Sequence, residues 1–186
     1  YLDVGGTASK FVYTNPASYA TTEGVTTISF GLRLASAPTA NVTVAVSSSD
    51  TTEGTGNKTS LTFTPLNWNS TQTVTVTGVD DAVDDGNIPY TILLGAASST
   101  DSNYIGADPV DLFLTNQDND TAGVTVSTPS GTSTSEAGTA VSFTIKLNSE
   151  PTANVTIPIS SSDTTEGTVS PASLIFTAIV SRFWLC

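Results

Sequence analysis

The chain has no histidine and no methionine, holds a single cysteine, and carries only five lysines and arginines among its 186 residues. Without His or Met it lacks the usual general base, imidazole zinc sites and soft-metal ligands. Cys186 is the last residue, so no disulfide can form within the chain. A secreted domain of this size does without one if its core is adequate or a metal ion supplies the staple. Seventeen acidic residues against five basic ones give a net charge of -12. Phosphate binding needs a basic face, so nucleic acid is excluded as a partner and an anionic membrane surface is disfavoured. No run of about 18 apolar residues is present to span a membrane, and the opening Tyr1-Leu2-Asp3-Val4 is not a signal peptide. Neither a Gly-rich phosphate loop nor a nucleophile elbow occurs, and the acids crowd together rather than flanking a groove, so the chain is not expected to be an enzyme. What remains for chemistry is carboxylate, hydroxyl and carbonyl oxygen. That inventory suits calcium.

A stretch of the chain occurs twice. Pro38 to Thr43 and Ser47 to Gly54 return as Pro151 to Thr156 and Ser160 to Gly167, a constant shift of 113 positions. The shift also carries Glu23 onto Glu136, Phe30 onto Phe143, Leu61 onto Leu174 and Phe63 onto Phe176. A period of that length is too long for a solenoid and suits a tandem array of independently folding domains, with one whole unit here and the beginning of another.

Alternation of apolar and polar residues marks the strands. Thr73-Val74-Thr75-Val76-Thr77 turns Val inward and Thr outward, and similar patterns run through Ile28, Phe30, Leu32 and Leu34, through Val42, Val44 and Val46, and through Val110, Leu112 and Leu114. Seven strands are expected, at about 10–14, 26–34, 41–47, 60–64, 72–79, 88–95 and 109–115, with no helical period anywhere. The fold class is therefore all-β, a seven-stranded antiparallel sandwich of immunoglobulin-like type followed by an incomplete second copy.

If successive strands run in opposite directions, the acids fall at one end. Glu23 precedes the second strand, Asp50 follows the third, Asp80, Asp81, Asp84 and Asp85 follow the fifth, and Asp118 and Asp120 follow the seventh. Acids also collect in solvated loops for no reason beyond polarity, but four loops converging on one pole set up a like-charge repulsion of about 1 kcal/mol per close pair, which a divalent cation would turn into binding.

With these residues in view the chain resembles a tandem of Calx-beta domains, the fold found in sodium/calcium exchangers, integrin beta-4 and many large bacterial surface proteins. The similar features are the Glu before the second strand, Ser49-Asp50-Thr51-Thr52-Glu53-Gly54 after the third, Val79 to Asp85 after the fifth, and the closing Asn116-Gln117-Asp118-Asn119-Asp120. The resemblance implies calcium ligands at Glu23, Asp50, Asp80, Asp81, the backbone carbonyl of Val83, Asp85, Asp118 and Asp120. Two departures stand out. Asn119 takes the middle place of an acidic run that is often three carboxylates, and Thr51-Thr52-Glu53 replaces the family's Gly-Thr-Ala turn, with Glu53 expected to face solvent outside the site.

The expected organisation is a lead-in at 1–9, a complete sandwich at 10–120, a partial repeat at 121–178 and a divergent apolar tail at 179–186. Gly5 and Thr7 stand where Asp118 and Asp120 would repeat upstream, and the tail reads either as a truncated or frame-shifted sequence or as an anchor or assembly segment. Glu136 and Asp163 match Glu23 and Asp50, but the second repeat stops before its own closing acids and cannot complete a site. Thr121-Ala122 leaves almost no linker, so calcium would stiffen the junction. The expected role is a calcium-binding structural or adhesive segment of a secreted or cell-surface protein. Alternatives are a carbohydrate-recognition module, with Trp68 as a candidate stacking platform against a sandwich-edge core role, and a filament subunit that self-associates by strand addition through its incomplete repeat. Five Asn-X-Thr/Ser triplets match the N-glycosylation pattern, of the kind a Thr-rich chain generates by chance.

Overall fold

The computed structural model describes residues 9–24 and 26–178. Most of the lead-in, including Gly5 and Thr7, and the tail 179–186 with Cys186 lie outside the described residues. The chain divides into two compact units. One holds the described residues up to Asp81 together with Asp85–Asn119, and the other holds Ala82–Asp84 with the described residues from Asp120 onward.

The first unit is built of ten strands: β1 (Phe11–Thr14), β2 (Ala20–Thr22), β3 (Thr27–Leu34), β4 (Val42–Ser48), β5 (Gly54–Gly56), β6 (Ser60–Phe63), β7 (Gln72–Gly78), β8 (Ile88–Leu94), β9 (Ser98–Ser99) and β10 (Leu112–Gln117). They form two sheets, ordered β1-β3-β7-β5 and β2-β10-β8-β4-β6, with β9 also pairing β4. Each of the seven expected strands has its counterpart. The three further ones, β2, β5 and β9, are two or three residues long and rich in Gly, Ser and Thr, so no alternation announces them. All pairs are antiparallel except β2 with β10, which run parallel.

The alternation is realised as read. Ile28, Phe30, Leu32 and Leu34 of β3, Val74 and Val76 of β7, Val42, Val44 and Val46 of β4, Leu61 and Phe63 of β6, and Ile92 and Leu94 of β8 are buried between the sheets. Trp68 is half-buried and packs against this core. The last strand differs from expectation. Val110 is 70% exposed and its N–H donates to the Tyr13 hydroxyl; β10 starts at Leu112, which packs half-buried against the core, and its buried positions are Leu114 and Asn116.

The end of the sandwich away from the expected acidic pole is closed by the segment after β8. The Tyr104 ring is buried edge-on to Phe11, with centroids 6.5 Å apart, and its hydroxyl donates to the Ser36 carbonyl at 2.7 Å. Asp101, also buried, accepts the N–H groups of Thr39 at 2.7 Å and Asn103 at 2.9 Å. These backbone bonds hold its carboxyl below the usual range.

The second unit contains β11 (Val124–Val126) paired with β12 (Ile145–Leu147), and β13 (Val155–Pro158) paired with β14 (Ser173–Phe176). Its registers are those of the first unit moved by 113. Phe11↔Leu34 becomes Val124↔Leu147, and Val42↔Phe63 becomes Val155↔Phe176. None of its described residues is buried, and Val124, Val126, Phe143 and Ile175 are exposed. In the first unit β3 pairs with β7 and β4 with β8. Among the described residues of the second unit, β12 and β13 have no such further partners.

The two repeats should therefore respond unequally to the same truncation. In urea unfolding followed by circular dichroism, Phe63→Ala is expected to cost about 3–5 kcal/mol, as for a fully buried aromatic. Phe176→Ala, at the equivalent but only half-buried position, should cost far less. Equal losses would contradict the burial described.

Candidate metal centre

The parallel pairing of β2 with β10 builds the site. Ala20 lies opposite Thr115, Thr21 opposite Asn116 and Thr22 opposite Gln117. One residue further, Glu23 donates its N–H to the Gln117 carbonyl at 3.0 Å, and its side chain comes beside that of Asp118. Because side chains alternate along strands, Glu23 and Asp118 share the inward face with Thr21 and Asn116, which explains why a carboxylate at a loop is only 2% exposed.

Carboxylate oxygens of Glu23, Asp118 and Asp120 all lie within 4.8 Å of one another. Asp120 is one peptide bond beyond Asn119, the last residue of the first unit, so its place here follows from the chain. Oxygens on opposite sides of one Ca²⁺ are about 4.6–5.2 Å apart, so three carboxylates at this spacing, two of them half-buried, fit a single calcium ion with an all-oxygen donor set.

Burial is the main cause that raises the Glu23 carboxyl to about 7. The Asn119 N–H, donated to it at 3.1 Å, opposes this, while the charges of Asp118 and Asp81 and a side-chain hydrogen bond with Asp118 reinforce it. Asp81 is thus near enough to be felt by Glu23. Asp80 accepts a hydrogen bond from the Asn119 side chain at 3.0 Å, so the amide in the middle of the closing run ties that run to the loop after β7. Asp118 is itself fixed, accepting the Gly86 N–H at 2.6 Å and donating its own N–H to Asn87 at 3.0 Å. Asp85 is exposed and bears on Glu53. Val83 is half-buried within the short stretch that belongs to the second unit, where the neighbouring Ala82 carbonyl accepts from Glu150 and Asp84 accepts from Ala122.

Asp50 is engaged locally. Its Oδ1 accepts the Thr52 hydroxyl at 2.5 Å and the Thr52 N–H at 2.9 Å, bonds that hold its carboxyl low. The same turn recurs at Asp163, whose Oδ1 accepts from Thr165 at 2.6 and 2.9 Å. The turn forms in both repeats.

Glu53 departs from expectation. It is 6% exposed rather than solvent-facing, and burial first, then the charges of Asp85, Asp50 and Asp81, push its carboxyl up, against a hydrogen bond from Asn116. Nothing in the Thr51-Thr52-Glu53 sequence marks an inward turn; the signal lies in Gly54, which packs so closely against Tyr90 that a Cβ would meet its ring.

No family model matches the chain. No curated protein matches it either. Among solved structures it is similar to the crystal structure of an apo-form Calx CBD1 domain, at 20% identity and a TM-score of 0.41, over 55% of this chain and 90% of that one. It is also similar to WR4, a C. elegans member of the MSP family, at 9% identity and a TM-score of 0.37, over 60% of this chain and 99% of that one.

The raised Glu23 carboxyl fixes a pH dependence. Its proton is held more tightly in the folded chain than in the unfolded one, so its contribution to stability is full below about 4.5 and is lost as pH rises through about 7. In chelator, the melting temperature is expected to fall across that window, and Glu23→Gln should remove most of the fall. A slope unchanged by Glu23→Gln would refute the assignment, since Glu53 acts in the same direction and would then be its source.

Proposed function

We propose that this chain is a calcium-stabilised structural segment of a secreted or cell-surface repeat protein, whose work is mechanical or adhesive rather than catalytic. The observation that carries this reading is the convergence of Glu23, Asp118 and Asp120 at one end of the sandwich, with Glu23 removed from water. An acid kept from water beside other acids is a standing cost in the absence of a cation, and a divalent ion removes it. Glu23, Asp118 and Asp120 would hold the ion, with Asp81 close enough to contribute charge. When bound, the ion supplies positive charge that links chain segments far apart in sequence.

Composition supports the setting: hydroxyl-rich, acidic, poor in cysteine and made of repeats. Asp118 and Asp120 are the last acids before the second repeat, so an ion held by them immobilises the segment joining the two repeats. A carbohydrate-recognition role for Trp68 is less favoured because that ring packs against the core.

Thermal unfolding of the whole chain in excess Ca²⁺, in excess Mg²⁺ and in chelator tests the reading. A ligand bound only by the folded state stabilises it by about 2.7 kcal/mol at a hundredfold excess over Kd. A rise in melting temperature selective for Ca²⁺, and absent from Glu23→Gln/Asp118→Asn, is expected. No response to Ca²⁺ would leave a plain structural sandwich whose acids serve solubility.

A further inference from the structure

Beneath the acids lies a layer of buried polar side chains that the calcium reading does not use. Thr21, Glu53, Tyr90 and Asn116 are between 0% and 6% exposed. The hub is Asn116. Its Oδ1 accepts the Thr21 hydroxyl at 2.9 Å, and its Nδ2 donates to the Val79 carbonyl at 2.8 Å and, at a long 3.5 Å, to Glu53. Thr21 also bonds the Tyr90 hydroxyl at 3.0 Å. The Val79 carbonyl can only accept, so the amide nitrogen must face it, and the oxygen is left to face Thr21.

The partners are not scattered. Thr21 is two residues before Glu23, Val79 directly precedes Asp80 and Asp81, Asn116 is two residues before Asp118, and Glu53 is three residues after Asp50. The Glu53 carbonyl in turn accepts the Val79 N–H at 3.0 Å. One planar group thus joins the bases of four acid-bearing loops.

We propose that Asn116 is the positioning residue of the acidic pole, its carboxamide holding the loops of Glu23, Asp80, Asp81 and Asp118 in the arrangement a calcium ion needs. This inference rests on the calcium reading above. Asn meets a requirement that its neighbours in size do not. Asp would lose the donors to Val79 and add a further charge, and Leu would lose donor and acceptor together. Two glycines keep the space open. Gly78 and Gly54 lie opposite each other in register on β7 and β5. A Cβ on Gly78 would stand 2.6 Å from the Asn116 Oδ1, and one on Gly54 would strike the Tyr90 ring. No buried side-chain polar atom among the described residues lacks a hydrogen-bond partner, so the layer is satisfied and can act as a rigid platform.

Outer partners of metal ligands typically change affinity about 10–100-fold when removed. The test is calorimetric titration of the full chain with CaCl₂ after chelator removal, for wild type, Asn116→Leu, Thr21→Val and Asp101→Ala, with melting temperatures recorded in chelator. Asp101→Ala loosens the far end and serves as the control for instability alone. Support is a Kd weakened at least about tenfold by Asn116→Leu and by Thr21→Val, with the wild-type Kd kept by Asp101→Ala despite its lower melting temperature. If Asn116→Leu does not fold, Thr21→Val decides, since it keeps shape and removes only the hydroxyl. Wild-type affinity in both hub variants, or equal weakening by Asp101→Ala, overturns the positioning role and leaves the calcium reading standing. A wild-type chain that takes up no Ca²⁺ overturns both.

Discussion

Keeping Glu23 out of water beside Asp118 is the constraint on which the acidic pole turns. A carboxyl at 2% exposure with a second carboxylate within reach cannot ionise at its ordinary pKa, and it is held near 7. The fold meets the cost in two ways. The Asn119 N–H is aimed at the Glu23 carboxylate, and the rest of the sandwich is packed well enough to hold the strand ends together against repulsion. A local unit could not do this. The opposing residues are 95 positions apart in sequence and meet only because β2 and β10 pair in parallel.

That pairing also sets what lies underneath. In parallel register, Thr21 with Asn116 and Glu23 with Asp118 form two steps on one inward face, the lower step neutral and hydrogen-bonded, the upper one acidic. Polar groups at the lower step separate the carboxylates from the hydrocarbon core and tie them to the loop after β7 through Val79. Dispersal of the acids would relieve repulsion but would break these bonds, so the pole is held in a state that favours positive charge arriving from solvent.

Much of the fold was legible because burial on one face forces period-two alternation, and β3, β4 and β7 are clear examples of it. Strand direction alone led to an expected pole of acids; of these the structure brings Glu23, Asp118 and Asp120 together, and it does so through the parallel pairing of β2 with β10, which no alternation announced. What escaped was whatever broke the apolar pattern for a reason of its own. Asn116 continues the inward series of Leu112 and Leu114, but its polar side chain reads as the end of the strand, so the expected strand stopped at 115 and began too early, taking in Val110. Glu53 is buried through a turn whose sequence looks solvated. The strands β2 and β5 carry too few large side chains to show a period, yet β2 delivers Glu23 and β5 contributes Gly54, against which Tyr90 packs.

The second repeat separates what is local in this architecture from what is not. Its two hairpins keep the registers of the first unit to the residue, and the Asp163 turn reproduces the Asp50 turn bond for bond. Turn chemistry and cross-strand pairing therefore suffice to specify hairpins from their own residues. They do not suffice for a core: Leu174 and Phe176 match Leu61 and Phe63 in pairing but not in burial. In the first unit the strands equivalent to β12 and β13 are covered by β7 and β8, which stand at the centres of the two sheets. Those strands, with β10, also lead into or out of the acidic loops. Core and acidic pole are thus linked: β7 and β8 close the core and flank the loop of Asp80 and Asp81, while β10, paired to β8, brings Asp118 to Glu23 at the end of the edge strand β2. Glu136, though aligned with Glu23, has no counterpart of Asp118 within the described residues to meet.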